Sequence, residues 1–309
     1  MDKFATIDVG TNSILIHIAG RDHTGKWHEF ADRSIITRLG EGLKEQGALS
    51  SAAMNRSRTA INELLQLARK HQVQHLKAVG TMALREASNG NEFLRLIHDT
   101  CNLDIEIIDG DTEAFLTFKA VTSITPVANK KFIIFNIGGG STEFILGMNR
   151  KILHTISINL GALHLTNTFL KSDPVTNPEF RHMEQAIRKQ LEQLPDFPNP
   201  DIIIGTGGTI TNLAAIKQKL EPFDALKIRH TRLHQTDILG QLQLFRSKTI
   251  AERKQIIGLQ PQRADVILAG CAIADRILQH FQRHTIRVSD RGIRHGLLFR
   301  FGDAPGKPD

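Results

Sequence analysis

Three glycine-rich segments, and a few charged residues near them, are the parts of this sequence best suited to chemistry. Gly10-Thr11-Asn12-Ser13, Gly138-Gly139-Gly140-Ser141 and Gly205-Thr206-Gly207-Gly208-Thr209 follow the apolar runs Phe4–Val9, Phe132–Ile137 and Ile202–Ile204. A glycine turn after a strand leaves backbone N–H groups uncovered and lets a ligand approach them closely. The first two turns could each cradle a phosphate. The third opens a helix, whose N-terminus suits a further anion or a ribose. One such turn alone is better explained as a plain connection between strands. Three of them after buried strands in one basic chain favour phosphate binding.

Acidic residues flank these turns. Asp8 ends the first apolar run, Glu143 lies just after the second turn, and Glu113 stands in the first turn of a helix expected over Glu113–Val121. Mg²⁺ is held by one or two carboxylates together with waters and substrate phosphates. Phosphoryl transfer needs a placed nucleophile and neutralised charge, so a carboxylate base and a few N–H donors suffice. Glu113 alone is equally a solvated acid in the first turn of a helix, where the macrodipole favours it. Arg85, beyond the short strand Leu76–Gly80, could grip a phosphate with two parallel N–H bonds or sit on a helix surface. Spacing alone leaves both alternatives open.

The elements that must position these residues alternate. Phe4–Val9, the Gly10 turn and Ser13–Ala19 read as strand, turn and strand, and Phe132–Ile137, the Gly138 turn and Thr142–Leu146 read the same way. Gly138 follows Gly10 by 128 positions, Ser141 follows Ser13 by the same interval, and Asn136 falls where the first copy has Asp8. The repeat implies two domains of related design, each presenting a hairpin to a shared cleft. Residues 52–71 have helical periodicity with Ser50 or Ser51 as cap, and a helix over Asn91–Thr100 leads to a strand at Ile105–Ile108. Ser123–Lys131 reads as a linker, dividing the chain into 1–123 and 124–292. Asn177 caps a helix with Pro178 at its first position, and Pro195, Pro198 and Pro200 break the chain after it. A long helix is expected over Arg263–Arg283, a strand at Ile286–Val288, and a frayed tail over the last eight residues. Strands alternating with helices make this an α/β protein.

Composition narrows the function classes. A chain of 309 residues is comfortable for two domains, and 40% apolar with 23% charged residues is ordinary for a globular protein. No apolar run approaches the roughly 18 residues that span a bilayer, and no secretory signal is visible. Cys101 and Cys271 lie far apart, and the 14 histidines are dispersed without ligand spacing. The expected location is the cytoplasm. A net charge of +7 and a pI near 9.5 favour anionic partners. The absence of tyrosine and of any block of five basic residues argues against a base-stacking nucleic-acid surface.

Five segments together resemble the exopolyphosphatase and guanosine pentaphosphate phosphohydrolase (Ppx/GppA phosphatase) family. They are Ile7–Ser13, Thr81–Gly90, Ile137–Glu143, Gly205–Thr209 and Ser289-Asp290-Arg291-Gly292-Ile293-Arg294-His295-Gly296, in family order across nearly the whole chain. The resemblance implies two actin-like domains, of the ribonuclease H-like or sugar kinase, chaperone and actin superfold, flanking an interdomain cleft. It implies the short two-domain form, with a C-terminal helix at about 293–309 returning to the first domain. By the same resemblance Gly10, Thr11, Asn12 and Ser13, and Gly138, Gly139, Gly140 and Ser141, are the phosphate loops. Arg85 contacts phosphate, Gly207, Gly208 and Thr209 add to the site, and Glu113 activates the attacking water. Asp8 and Glu143 stand near a Mg²⁺ or other divalent cation. Asn136 replaces the family's usual aspartate, keeping one acceptor oxygen and losing the charge, and Asp109 and Thr112 replace a serine and a glutamate.

The implied activity is hydrolysis of terminal phosphate from inorganic polyphosphate, or from guanosine pentaphosphate. No nucleic acid and no membrane are expected as partners, and a homodimer stays open. Two rivals remain. A small-molecule kinase of the same superfold needs an acceptor site and a catalytic aspartate that this sequence does not identify. A polyphosphate- or alarmone-binding regulator with weakened catalysis draws its support from Asn136.

Overall fold

The computed structural model describes residues 1–197, 199–222 and 224–302; Pro198 and residues 303–309 of the expected frayed tail lie outside them. The described chain forms two compact units, Met1–Ala120 with the segment from Gly292 onward, and Val121–Arg291. They are called unit 1 and unit 2.

In unit 1, β1 (Asp2–Val9) pairs antiparallel with β2 (Ser13–Arg21), and β2 with β3 (Trp27–Ile36). β4 (His75–Gly80) then lies parallel to β1, and β5 (Ile105–Ile107) parallel to β4, giving the order β3-β2-β1-β4-β5. The last five residues of β1 are all buried. Two of them, Thr6 and Asp8, are polar, and both are buried with the apolar residues of the strand. Ile7, Val9, Ile14 and Ile16 from the hairpin pack with Ile61, Leu64 and Leu65 from the helix Ser51–Lys70 and with Phe93 and Ile97 from the helix Gly90–Cys101. Ser50 caps the former helix by accepting the Ala53 N–H at 3.2 Å.

Unit 2 repeats this plan. β6 (Lys131–Ile137), β7 (Thr142–Met148) and β8 (Lys151–Ile158) form the antiparallel meander. β9 (Ile202–Thr206) runs parallel to β6, β10 (Arg232–His234) is an antiparallel edge, and β11 (Thr285–Val288) lies between β9 and β10. The order β10-β11-β9-β6-β7-β8 is that of unit 1 with one strand added. Each meander carries an irregularity between its second and third strands, at Ile18/Ala19 in one and Leu146/Gly147 in the other, again 128 positions apart. Two α/β units with this matched mixed sheet make the expected pair of actin-like domains.

Several helix limits differ from expectation. The helix holding Glu113 begins at Gly110 and runs through Ile124, into the stretch read as linker. Thr176, not Asn177, caps the helix Asn177–Leu191, because its N–H and hydroxyl both reach Glu179 Oε2, at 2.9 and 2.7 Å. The long helix expected over 263–283 is a short 3₁₀ turn at Pro261–Arg263 followed by a helix over Ile267–His280, ended by Gln282 with φ of 50°. The C-terminal helix is two short pieces, Ile293–Leu297 and Phe299–Gly302. Among the described residues no helix is long and apolar enough to cross a membrane.

Candidate active site

In each unit the residues singled out by chemistry gather at the C-terminal edge of the parallel strands, where open α/β sheets bind ligands. In unit 1, Asp8 ends β1, Arg85 lies in the helix Met82–Glu86 just beyond β4, and Glu113 lies in the first turn of the helix beyond β5. The Gly10 turn closes on itself, the Gly10 N–H donating to Ser13 O at 3.0 Å, and a Cβ on Gly10 would stand 2.9 Å from that oxygen. The chain after β3 returns to the turn, with the Thr37 and Arg38 N–H groups donating to Asn12 O and Gly40 N–H to Thr11 O at 2.9 Å.

Arg85 and Glu113 are in direct contact. Arg85 Nη1 donates to Glu113 Oε1 and to the Ile108 carbonyl, each at 2.7 Å. Burial raises the Glu113 carboxyl above its ordinary range, against the bond and charge of Arg85. Asp109 caps the helix below it, accepting the Thr112 N–H at 2.8 Å, which gives one of the substituted positions a structural role. Asp8 is 8% exposed, and burial and then the negative charge of Glu113 push its carboxyl up to about 7, against the opposing charge of Arg294.

Unit 2 has the same turn. The Gly138 N–H donates to Ser141 O at 2.9 Å, and a Cβ on Gly138 would stand 3.1 Å from that oxygen. Its brace is the helix Ala162–Phe169, with the Ala162 N–H on Gly138 O and the His164 N–H on Gly139 O. Gly161 is packed so closely that its Cβ would meet Gly139 O at 2.2 Å. Asn136 and Glu143 are cross-strand partners, and Glu143 also accepts the hydroxyls of Ser141 and Ser157. At the third turn Gly207 has φ of 81°, a left-handed conformation that favours glycine. A Cβ there would also meet Asn136 Oδ1 at 2.0 Å. Thr209 is turned inward, its buried hydroxyl donating to Ile137 O at 3.3 Å.

The residues fit a divalent cation in unit 1. Asp8 Oδ1 is buried with no hydrogen-bond partner, on a carboxyl that carries negative charge only at a cost. A cation supplies the compensation that such a group needs. In unit 2 both Glu143 oxygens already accept bonds from the protein, and Asn136 brings no charge.

Arg263 was not among the expected residues. Its guanidinium lies over the start of the helix Gly207–Gln218, so close that a Cβ on Gly208 would stand 2.0 Å from Nη2. Arg263 Nε donates to Gln260 Oε1 at 3.1 Å. The Gln260 N–H donates in turn to buried Asn212 Oδ1 at 2.8 Å. Guanidinium and helix N-terminus add their positive potentials there. Gly208 was the one legible sign, since a side chain needs glycine in order to lie against the backbone.

Among the described residues, one group of three His, Cys, Asp or Glu side chains is close enough to share an ion: His17, Asp32 and His295. The partners of His295 set its tautomer. His295 Nδ1 accepts the Gly292 N–H at 3.3 Å, so Nε2 carries the hydrogen donated to Asp32 Oδ2 at 2.9 Å. Arg294 takes both Asp32 oxygens at 2.8 Å, and its own carbonyl accepts the Thr6 hydroxyl at 2.6 Å. This network anchors the returning C-terminal segment on β1 and β3 and leaves no lone pair of His295 for a metal.

A sequence model described as the Ppx/GppA phosphatase family matches residues 19–303. The chain is 31% identical over 306 residues to the bifunctional 3-dehydroquinate synthase/phosphatase of Fusobacterium nucleatum; the match covers 95% of this chain but only 46% of that protein. It is 28% identical over 312 residues to exopolyphosphatase 2 of Mycobacterium tuberculosis, covering 96% of this chain and 98% of the relative. The crystal structure of an exopolyphosphatase from Cytophaga hutchinsonii is similar with a TM-score of 0.89 at 27% identity, covering 99% of this chain and 100% of that one.

Proposed function

The chain belongs to the Ppx/GppA phosphatase family, and from that premise we propose that it is an exopolyphosphatase, removing the terminal phosphate of inorganic polyphosphate. The observation that carries this reading is Glu113, a carboxylate of raised basicity set at one strand edge with Asp8, Arg85 and the Gly10 turn. In the reaction, water attacks the terminal phosphorus, its proton passes to Glu113, and the shortened chain departs from the broken P–O bond. The N–H groups of the Gly10 and Gly138 turns bind phosphate oxygens. Arg85 in unit 1 and Arg263 in unit 2 offset their charge. Asp8 would hold Mg²⁺, and the cation would neutralise charge developing on the phosphate. Guanosine pentaphosphate, which ends in the same kind of anhydride, is the second substrate to test.

The test is orthophosphate release from long polyphosphate, short polyphosphate and guanosine pentaphosphate, each with and without Mg²⁺. Cation-dependent release with no acceptor present supports the proposal and rules out a kinase. Tight binding of all three without release overturns it in favour of a regulator, the reading that Asn136 supports.

A further inference from the structure

The Arg85–Glu113 contact gives two proposed roles, phosphate ligand and catalytic base, to residues bonded to each other. A guanidinium fork matches phosphate and carboxylate alike. We propose that Glu113 and a substrate phosphate compete for Arg85, so that arrival of the phosphate releases the base. This rests on the reading of Glu113 as the base and adds how that base is switched on.

Three features support the exchange. Arg85 Nη1 also donates to the Ile108 carbonyl at 2.7 Å, a backbone anchor that keeps the guanidinium in place when its anionic partner changes. The pair is reachable, with the Arg85 side chain 35% and the Glu113 side chain 19% exposed. Two further charges near Glu113 oppose its negative form: Asp109 from the turn below its helix, and Asp8 at the end of β1, whose own carboxyl Glu113 pushes up. Arg85 Nη1 occupies Glu113 Oε1, and passing that donor to a phosphate frees the oxygen to take a proton from water. Water cleavage without a phosphate in place is of no use to the enzyme, and the pair withholds the base until then.

The test is a double-mutant cycle read by calorimetry, using methylenediphosphonate with Mg²⁺ as a probe that cannot be hydrolysed at its bridge. Glu113→Gln removes the internal competitor and is expected to tighten binding about three- to tenfold when Arg85 is present. In the Arg85→Gln background the same change is expected to give less than about a twofold gain. An equal gain in both backgrounds means that Glu113 merely repels the probe, and overturns the competition. Unchanged affinity in Glu113→Gln, or no binding by any variant, overturns it too. If Arg85→Gln loses its cooperative thermal transition, Arg85→Lys, which lacks the fork, replaces it in the cycle. Turnover is scored separately: an affinity gain with full turnover in Glu113→Gln rejects the base, whereas lost turnover with no gain rejects only the exchange.

Discussion

Asn136 and Glu143 face each other across the β6–β7 ladder, and Asn136 Nδ2 donates to Glu143 Oε2 at 3.4 Å. In unit 1 the matching positions are Asp8 and Leu15, an acid opposite an apolar residue. An acid at each position in unit 2 would set like charges directly opposite each other, which destabilises a strand pair. Asn136→Asp is therefore expected to cost about 1 kcal/mol of stability in a chelator and to regain it with Mg²⁺. Thermal unfolding of both proteins across a Mg²⁺ titration decides this; a variant as stable as its parent in chelator shows the reasoning to be wrong.

Replacing Glu113 with Gln keeps the shape while removing the proton acceptor and the charge that holds Arg85. Turnover is expected to fall about 10²- to 10⁴-fold with the fold intact. Initial rates of phosphate release, alongside circular dichroism, measure it. A loss of less than tenfold would move the base elsewhere.

Asp8 links stability to pH. Its carboxyl, pushed up to about 7, binds a proton more tightly folded than unfolded. The stability this brings is fully present below the ordinary carboxylate range near 4 and is lost as pH rises through about 7. Asp8→Asn has no such loss. The variant is expected to become the more stable protein between pH 5 and pH 8, by up to about 2–4 kcal/mol in chelator, while losing turnover. Parallel denaturation curves that never separate with pH would show that the buried carboxyl is not strained.

Gly161 tests the brace under the second turn. A Cβ there would meet the Gly139 carbonyl oxygen at 2.2 Å, and neither backbone can yield without moving the turn. Gly161→Ala is expected to cost about 1–3 kcal/mol and to weaken phosphate binding. Gly110→Ala is the control, since nothing lies within 4 Å of its added Cβ. Equal stability and affinity in the two variants would mean that the turn absorbs the methyl group without penalty.

The glycine turns were legible because close backbone approach leaves one residue type to choose from, and the 128-residue repeat because both hairpins obey the same constraint. The central strands were legible because burial on both faces demands unbroken apolar runs such as Phe132–Phe135. β3 and β8 were not, since half of each strand is exposed, nearly all the rest is only half-buried, and both read as polar mixtures. Arg263 and the Asp32–Arg294 pair were hidden for another reason. Asp32 and Arg294 lie 262 positions apart, and the network aiming Arg263 runs through Gln260 and Asn212, residue types that carry no signature of their own. The reading of Asn177 as cap rested on Pro178 alone and missed Glu179, whose spacing from Thr176 makes a capping box one residue earlier.

Unit 2 is one unbroken stretch, whereas unit 1 needs the segment from Gly292 onward. Leu297 fills the cluster of Val79, Ile108 and Leu116, and Arg294 and His295 close on Asp32. On the ribosome, therefore, the unit that starts to emerge first is the one completed last. Its sheet waits with an uncovered apolar site while some 170 intervening residues are made, an interval in which that site is exposed to mispairing.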